Sequence, residues 1–526
     1  MFRLISLNIN DWNYLGHIPE GNLVFIPTKE ITPTQKPYTS VLIGANGTGK
    51  STLLSYIGRI FEDLKFAKEN QGKRNPKAIS FPYSITFQVN QSKFQITHKN
   101  DGLDLKEFKQ DKRTLKWNYN ISVNGEQVKS DWSNVELPEQ VIAVSYLPMD
   151  RFRQKKNLPN DFYQYLGLRH RSNAASPQYF LNNTLPLLFN YIAESKSIGF
   201  LKEILEFMSV DQDYLGIQLE YRYKKFFFTG NLTPSGFNEL FEDTKQFSKR
   251  EGTSFAVDYY KRYIKGDEKL IKRIVTYLNV RSQQDNISVG EKSLLEFNLF
   301  ENMELIEELS LIQHLQKLDL LSSASLLFKK SAGSLIASQN LSSGEFHFLT
   351  TMISIQASLR ENTLLLIDEP DTSLHPNWQI KYINKLKELF QKWNSSHFII
   401  ATHSHFIVSD LENESSEVIG LKGQVPKVTA KPMNTNTFGL SAEEILLDIF
   451  GVPTTRNLFV YEKVGEILDM IALRDTEQKV VPENNFEAEV KKKVEYLQNK
   501  GIDKLSNEDP LKEVIDKIIA KYGRPQ

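Results

Sequence analysis

The stretch 41–54 constrains this chain more than any other. An apolar run, Val41-Leu42-Ile43, leads into Gly44-Ala45-Asn46-Gly47-Thr48-Gly49-Lys50-Ser51 and then Thr52-Leu53-Leu54. The spacing is that of a phosphate-binding loop, G-x-x-x-x-G-K-[ST]. A buried strand ends at Gly44, and a helix is expected over 52–61. The glycines let the backbone turn and set N–H groups against phosphate oxygens. Lys50 reaches the β- and γ-phosphates, Ser51 offers a hydroxyl to Mg²⁺, and the helix points its positive end at the anion. The expected nucleotide-binding set is Asn46, Gly47, Thr48, Gly49, Lys50, Ser51 and Thr52, and the expected cofactors are ATP and Mg²⁺.

Composition narrows the setting. The 526 residues allow several domains, and 40% hydrophobic content supports a sizeable core. Lys+Arg and Asp+Glu are both 64, so the net charge is zero. A dedicated nucleic-acid binder carries a basic excess, so any DNA contact here must come from a local patch. The absence of cysteine excludes disulfides and thiolate metal sites. No apolar run approaches the length of a membrane span, and the N-terminus lacks a signal-peptide core. The expectation is a soluble cytoplasmic protein with no membrane partner.

Residues 2–9 alternate as a half-buried strand, and 22–26 form a second. Trp12 or Tyr14 is placed either to stack on adenine or to fill the core. Residues 83–89 and 94–98 read as a hairpin, and strands follow at 117–123 and 141–145. The loop after 145 presents Gln154, a candidate for Mg²⁺ or the attacking water, or simply a surface glutamine. Helical spacing runs over 185–208. A β excursion is expected at 217–228, and mostly helix from 238 to 320. Residues 326–330 and 334–336 read as another hairpin.

The C-terminal half supplies the remaining chemistry. Leu341-Ser342-Ser343-Gly344-Glu345 precedes a helix expected over 346–359. Leu364-Leu365-Leu366-Ile367 is a buried strand ending in Asp368-Glu369. Asp368 suits a Mg²⁺-holding acid. Glu369 suits a general base for the attacking water. His403 ends another apolar strand, within reach of a γ-phosphate. Ser343 followed by Glu345 would also satisfy an ordinary helix N-cap.

The order of these pieces resembles the ABC ATPases, whose signature has the usual form Leu-Ser-Gly-Gly-Gln. The Leu-Ser-Ser-Gly-Glu variant looks like the SMC, RecF and OLD branch. The resemblance implies an α/β P-loop NTPase of ABC-ATPase (SMC-like head) type, with an inserted mainly helical lobe and a helical C-terminal tail. It implies that Ser342, Ser343, Gly344 and Glu345 meet the γ-phosphate held by another copy, in a head-to-tail homodimer or higher homo-oligomer. Lys50 and Asp368 lie much farther apart than in compact transporter subunits, as in ATPases that act on DNA or on protein partners. The expected organisation is 1–184 and 321–430 as the ATPase core, 185–320 as the insert and 431–526 as the helical C-terminal region.

Shorter stretches look like the PtuA-type ATPases of Septu and retron anti-phage systems. They are Val141–Ser145 with Asp150-Arg151-Phe152, Tyr165-Leu166-Gly167-Leu168-Arg169, Ser172-Asn173-Ala174, Phe438-Gly439-Leu440-Ser441, and Phe450-Gly451-Val452-Pro453-Thr454-Thr455-Arg456. This resemblance implies a nucleotide switch controlling a separate HNH-type nuclease, with DNA or retron RNA/DNA as further partners. Two other readings stand beside it: a RecF/SMC-like DNA-repair ATPase binding DNA directly, and an OLD-like ATPase. Phe459-Val460-Tyr461-Glu462-Lys463 is similar to the opening of a TOPRIM nuclease domain. The short tail after it has no D-x-D pair, so no nuclease activity is assigned to the chain.

Overall fold

The computed structural model describes residues 1–522 other than 10–20, 28–32, 74–78, 80, 101–116, 129–131, 148, 155–160, 168–176, 196, 223–229, 243–252, 285–293, 302–305, 331–332, 410, 413, 425–426, 434–439, 451, 453–456, 476–482 and 506–508. Trp12 and Tyr14 lie outside the described residues. So do Leu168, Arg169, Ser172-Asn173-Ala174, Phe438-Gly439, Gly451 and 453–456. The chain divides into two units, Met1–Gly439 and Leu440–Gln526.

The first unit opens on an antiparallel sheet. Its strands are β1 (Phe2–Ile9), β2 (Gly21–Val24), β4 (Tyr83–Val89), β5 (Ser92–Asn100), β6 (Trp117–Val123) and β7 (Glu126–Val128), in the order β2-β1-β4-β5-β6-β7. Burial alternates strictly along Tyr83–Val89, as a one-sided sheet requires. The second sheet holds β3 (Tyr38–Gly44), β8 (Gln140–Ser145), β9 (Tyr163–Tyr165), β14 (Thr363–Asp368), β15 (His397–Thr402), β16 (Ser416–Gln424) and β17 (Lys427–Pro432). Its order is β17-β16-β3-β15-β14-β8-β9, parallel throughout except for the edge strand β17. Strands β8, β14 and β15 are buried along their whole length, which accounts for their unbroken apolar runs.

The helix Lys50–Glu69 buries Leu53, Leu54, Ile57, Ile60, Phe61 and Leu64. One core joins these residues to Phe2, Leu4 and Phe87 of the antiparallel sheet and to Leu366 and Ile399 of the parallel one. Strand order then does the positioning. The carboxyl ends of β3, β15 and β14 lie side by side, with β15 in the middle. That is the edge at which open parallel sheets bind ligands.

The amino ends of the same strands are tied to the antiparallel sheet. His397 Nδ1 accepts the Leu4 N–H at 3.0 Å, and Nε2 lies 2.9 Å from Ser40 Oγ. Ser40 donates in turn to the Phe25 carbonyl at 2.9 Å. With Nδ1 accepting, the proton is on Nε2. Burial, then the nearby Arg3 charge, holds the His397 pKa well below its ordinary value, so the ring is neutral. Arg3 is itself fully buried and donates to the carbonyls of Phe2, Asn394, Ser395 and Ser396 and to Thr34.

Residues 177–337 carry six helices among the described residues, from Pro177–Ser195 to Ile306–Lys317. They also carry an antiparallel sheet of β10 (Leu215–Tyr221), β11 (Leu294–Asn298), β12 (Leu321–Lys329) and β13 (Leu335–Ala337), ordered β11-β10-β12-β13. The β excursion is present as β10 up to Tyr221, its stretch 223–228 lying outside the described residues, and the 326–336 hairpin is present. The described part of 238–320 is mostly helix, as expected, but it also holds a strand the sequence does not announce: Leu294–Asn298 pairs with β10, Phe297 opposite Ile217. A five-residue apolar run has too little length for periodicity to separate strand from helix. The first helix starts at Pro177 rather than at 185. Strands β16 and β17 had no counterpart in the sequence reading.

The second unit packs the helices Leu458–Asp475, Glu483–Asn499 and Pro510–Tyr522 around Val464, Ile467, Val490, Val494, Leu497 and Ile515. The TOPRIM-like stretch, Phe459 to Lys463, forms the first turns of one of these helices. Among the described residues no helix is long and apolar enough to cross a membrane.

Candidate nucleotide site

The loop between β3 and the helix Lys50–Glu69 turns on left-handed backbone. Gly49, at φ +86°, caps the helix directly before Lys50, a conformation costly for a residue with a Cβ. Thr48 is buried and donates to the Ala45 carbonyl at 2.9 Å, while Asn46 and Gly47 are exposed at the tip. Ser51 and Thr52 lie in the first helical turn, whose N–H groups have no partner within the helix. Lys50 is buried, and its ammonium donates to the Gly44 carbonyl at 2.9 Å.

The same ammonium lies 2.6 Å from His403 Nε2. Burial, then the Lys50 charge, lowers the His403 pKa to about 4. The imidazole is therefore neutral, and Nε2 accepts a hydrogen bond from the ammonium through its lone pair. Glu369 Oε1 stands 3.2 Å from the same nitrogen. With a neutral ring this contact is not an ion pair. Burial, then Asp371, raises the Glu369 pKa, with Lys50 opposing. Burial lowers that of Lys50, with Glu369, Asp368 and Asp371 opposing.

Asp368 ends β14 with no exposed surface. Neither carboxylate oxygen closes a hydrogen bond of full geometry, although the Ser51 hydroxyl beside it partly offsets the burial. Burial is the larger effect and raises the Asp368 pKa to about 6. Glu369 follows at φ +50°, left-handed backbone for a side-chain-bearing residue, at a cost on the order of 1–2 kcal/mol. Its N–H donates to Ala401 on β15 at 2.9 Å. The structure thus brings Lys50, Ser51, Asp368, Glu369 and His403 to one place from three neighbouring strand ends.

The signature stretch starts the helix Ser343–Ser358. Ser342, not Ser343, is the cap: its hydroxyl accepts the Glu345 N–H at 3.2 Å. The Glu345 carboxylate accepts the Ser342 N–H at 2.7 Å, which completes a capping box. The alternative reading of this stretch as an ordinary helix N-cap therefore holds at Ser342 rather than at Ser343. Ser342 and Ser343 are both exposed, whereas Gly344 is buried. A Cβ on Gly344 would collide with the Ser373 carbonyl oxygen, so glycine is needed for the close approach of the turn after Glu369.

Gln154 is half-buried in the segment following β8. That segment is pinned by Ser55, which donates to the Arg151 carbonyl at 2.7 Å, and by a hydrogen bond from Tyr165 to Asp150. The sequence reading passed over four residues that brace the site. Thr402 donates to Asp371 at 2.5 Å, and Ser404 donates to Gln379 at 2.5 Å. The available signal was position: Asp371 stands two residues past Glu369, and Thr402 and Ser404 flank His403.

A phosphate loop, a buried acid pair and a histidine on adjacent ends of a parallel sheet define a P-loop ATPase of ABC type. The chain belongs to the family described as "AAA domain, putative AbiEii toxin, Type IV TA system", whose model matches residues 40–409. It is similar to the Retron Vc95 probable ATPase of Vibrio cholerae serotype O1 biovar El Tor, 23% identical over 442 residues, 78% of this chain and 73% of that protein. It is also similar to the Septu protein PtuA of Bacillus thuringiensis, 28% identical over 163 residues, 31% of this chain and 37% of that protein. Among solved structures, the Smc head domain of Pyrococcus furiosus, bound to the C-terminal domain of ScpA, aligns with 11% identity and a TM-score of 0.31. The alignment covers 82% of this chain and 96% of that one. A likeness that slight leaves the fold to be read from the strand order itself.

Proposed function

We propose that the chain is an ATP-driven switch with Lys50, Ser51, Asp368, Glu369 and His403 as its hydrolysis set. The observation that carries this reading is the convergence of those side chains, with Asp368 a fully buried carboxylate that closes no hydrogen bond of full geometry and has the Ser51 hydroxyl beside it. Such a carboxylate beside a hydroxyl is an oxygen donor set that fits Mg²⁺, so Asp368 and Ser51 are the residues that would hold it. When bound, Mg²⁺ neutralises charge on the β- and γ-phosphates. Asn46, Gly47, Thr48, Gly49 and Thr52 cradle the phosphates with Lys50. Glu369, in its carboxylate form, takes the proton of the attacking water. His403, neutral, contacts the γ-phosphate. Gln154 is a further candidate for Mg²⁺ or the water.

The exposed Ser342 and Ser343, with Gly344 and Glu345, support a head-to-tail dimer in which each copy completes the other's site. The retron and Septu relatives support a place in anti-phage defence in the cytoplasm. There the switch controls a separate HNH-type nuclease, with DNA or retron RNA/DNA as further partners. In this reading 1–184 and 321–430 form the ATPase core, and 185–320 and 431–526 are surfaces for partners.

The test is Glu369→Gln. It keeps ATP affinity, loses on the order of 100-fold in turnover, and accumulates as an ATP-bound dimer in a mass measurement. Adding Ser343→Arg removes that dimer. Unchanged turnover in Glu369→Gln sinks the general-base role, and a dimer that survives Ser343→Arg sinks the trans site.

A further inference from the structure

Two loops border the nucleotide site, and one side chain bridges them. The turn after Glu369 runs through Asp371 and Ser373 to Leu374. The loop after β15 runs from Thr402, the last residue of the strand, through His403 and Ser404. Gln379, in the first turns of the helix Pro376–Leu389, reaches both. Its Nε2 donates to the carbonyls of Leu374 at 2.9 Å and Asp371 at 3.3 Å. Carbonyls can only accept, so the amide orientation is fixed and Oε1 must face the other way. There it accepts the Ser404 hydroxyl at 2.5 Å. Ser404 Oγ in turn accepts the Phe406 N–H at 3.2 Å, which caps the short helix His405–Val408. A second link runs parallel: Thr402 donates to Asp371 and accepts the Ser404 N–H at 2.9 Å.

The same turn abuts the signature. The Ser373 carbonyl occupies the space a side chain on Gly344 would need. A continuous run of bonded and packed groups therefore extends from the His403 loop, through Gln379 and the turn, to Gly344.

We propose that Gln379 is a positioning residue for ATP hydrolysis: one amide clamps the loop presenting His403 to the turn that backs onto Gly344. The inference rests on the proposed function, because it takes His403 as the group that meets the γ-phosphate. A displacement of His403 then moves the turn and the signature edge with it. Without the clamp, His403 and Glu369 lose their shared frame while the phosphate loop is untouched. Misplacing reacting groups by a fraction of an ångström lowers turnover without weakening ground-state binding.

The test uses the full chain with Gln379→Leu, which keeps size and removes all three bonds, and Gln379→Glu. The latter keeps the acceptor for Ser404 and sets a carboxylate against two carbonyls. Turnover in Gln379→Leu is expected to fall about 10-fold with KM unchanged. Amide hydrogen exchange, measured without nucleotide, is expected to speed up about 10-fold at both Leu374 and Phe406. In Gln379→Glu the increase is confined to Leu374. Wild-type kcat, a fall in kcat matched by a rise in KM, or faster exchange at only one of the two amides in Gln379→Leu overturns the proposal. If Gln379→Leu does not fold, the side-specific exchange of Gln379→Glu decides. Should the wild-type chain not hydrolyse ATP, the proposed function fails, and the exchange measurement still judges the clamp.

Discussion

The two ends of the parallel sheet bury polar side chains in opposite ways. At the amino ends, His397 uses both ring nitrogens, and Arg3 spends its two terminal nitrogens on four carbonyls and a hydroxyl. At the carboxyl ends, Asp368 is as deeply buried and closes no hydrogen bond of full geometry. Glu369 holds left-handed backbone, and Lys50 rests on a neutral imidazole. Buried polar groups are ordinarily paired because leaving them unpaired is costly. The amino end follows that rule at His397 and at the two terminal nitrogens of Arg3, though not at Arg3 Nε, and joins two sheets. The other breaks it where a phosphate and a cation would restore the balance. Two histidines, one opening β15 and one just past its end, register the contrast: His397 is locked on both sides, and His403 keeps about a third of its side chain exposed.

The largest effect should come from breaking the paired end. Arg3→Met strands the carbonyls of Phe2, Asn394, Ser395 and Ser396, and should cost about 3–5 kcal/mol of stability. Chemical denaturation would read this, with ATP affinity of the remaining folded protein unchanged. A loss under about 1 kcal/mol would show that the amino ends are not held as described. Next is Lys50→Ala at the other end. Removing a charge-assisted contact to phosphate should weaken ATP binding about 100-fold in calorimetry. The melting temperature should hold, because Lys50 is desolvated and its bonds serve the site rather than the core.

The smallest effect has the opposite sign. Burial raises the Asp368 pKa to about 6, so the folded state prefers the protonated acid. The resulting destabilisation is full above about pH 6 and disappears as pH falls through the unfolded carboxylate value. Asp368→Asn, measured in EDTA, should therefore stabilise the protein by about 1 kcal/mol at pH 7.5 while abolishing hydrolysis. The gain should shrink on going to pH 5. A variant less stable than wild type at pH 7.5 would mean that Asp368 is paired after all.

Much of the nucleotide site was legible because its signals are local. The glycine spacing before Lys50 and the apolar run before Asp368 specify backbone and burial within a few residues. The braces were not legible. Gln379 looks like any polar residue on a helix surface, and only the packing of that helix aims its amide at two loops. The order of strands was equally hidden: nothing near His403 says that β15 lies between β3 and β14. Strand β11 was missed for want of length, and the cap on the signature helix was displaced by one residue. A capping box written Ser-x-x-Glu fits Ser342 with Glu345, and Ser343 with Glu345 is one residue too short.

That capping box also sets a threshold. Ser342 and Glu345 satisfy one another in the isolated chain, so the end of the signature helix is not idle. An anion that claims the Ser342 hydroxyl must first displace a cap worth about 1 kcal/mol. It also meets the Glu345 carboxylate, which repels it. Weakly charged or poorly placed ligands gain too little there to open the box. In the proposed dimer a triphosphate held at full charge by a second copy would gain more. The helix end would thereby discriminate between nucleotide states, and a diphosphate, lacking the terminal group, would leave it closed.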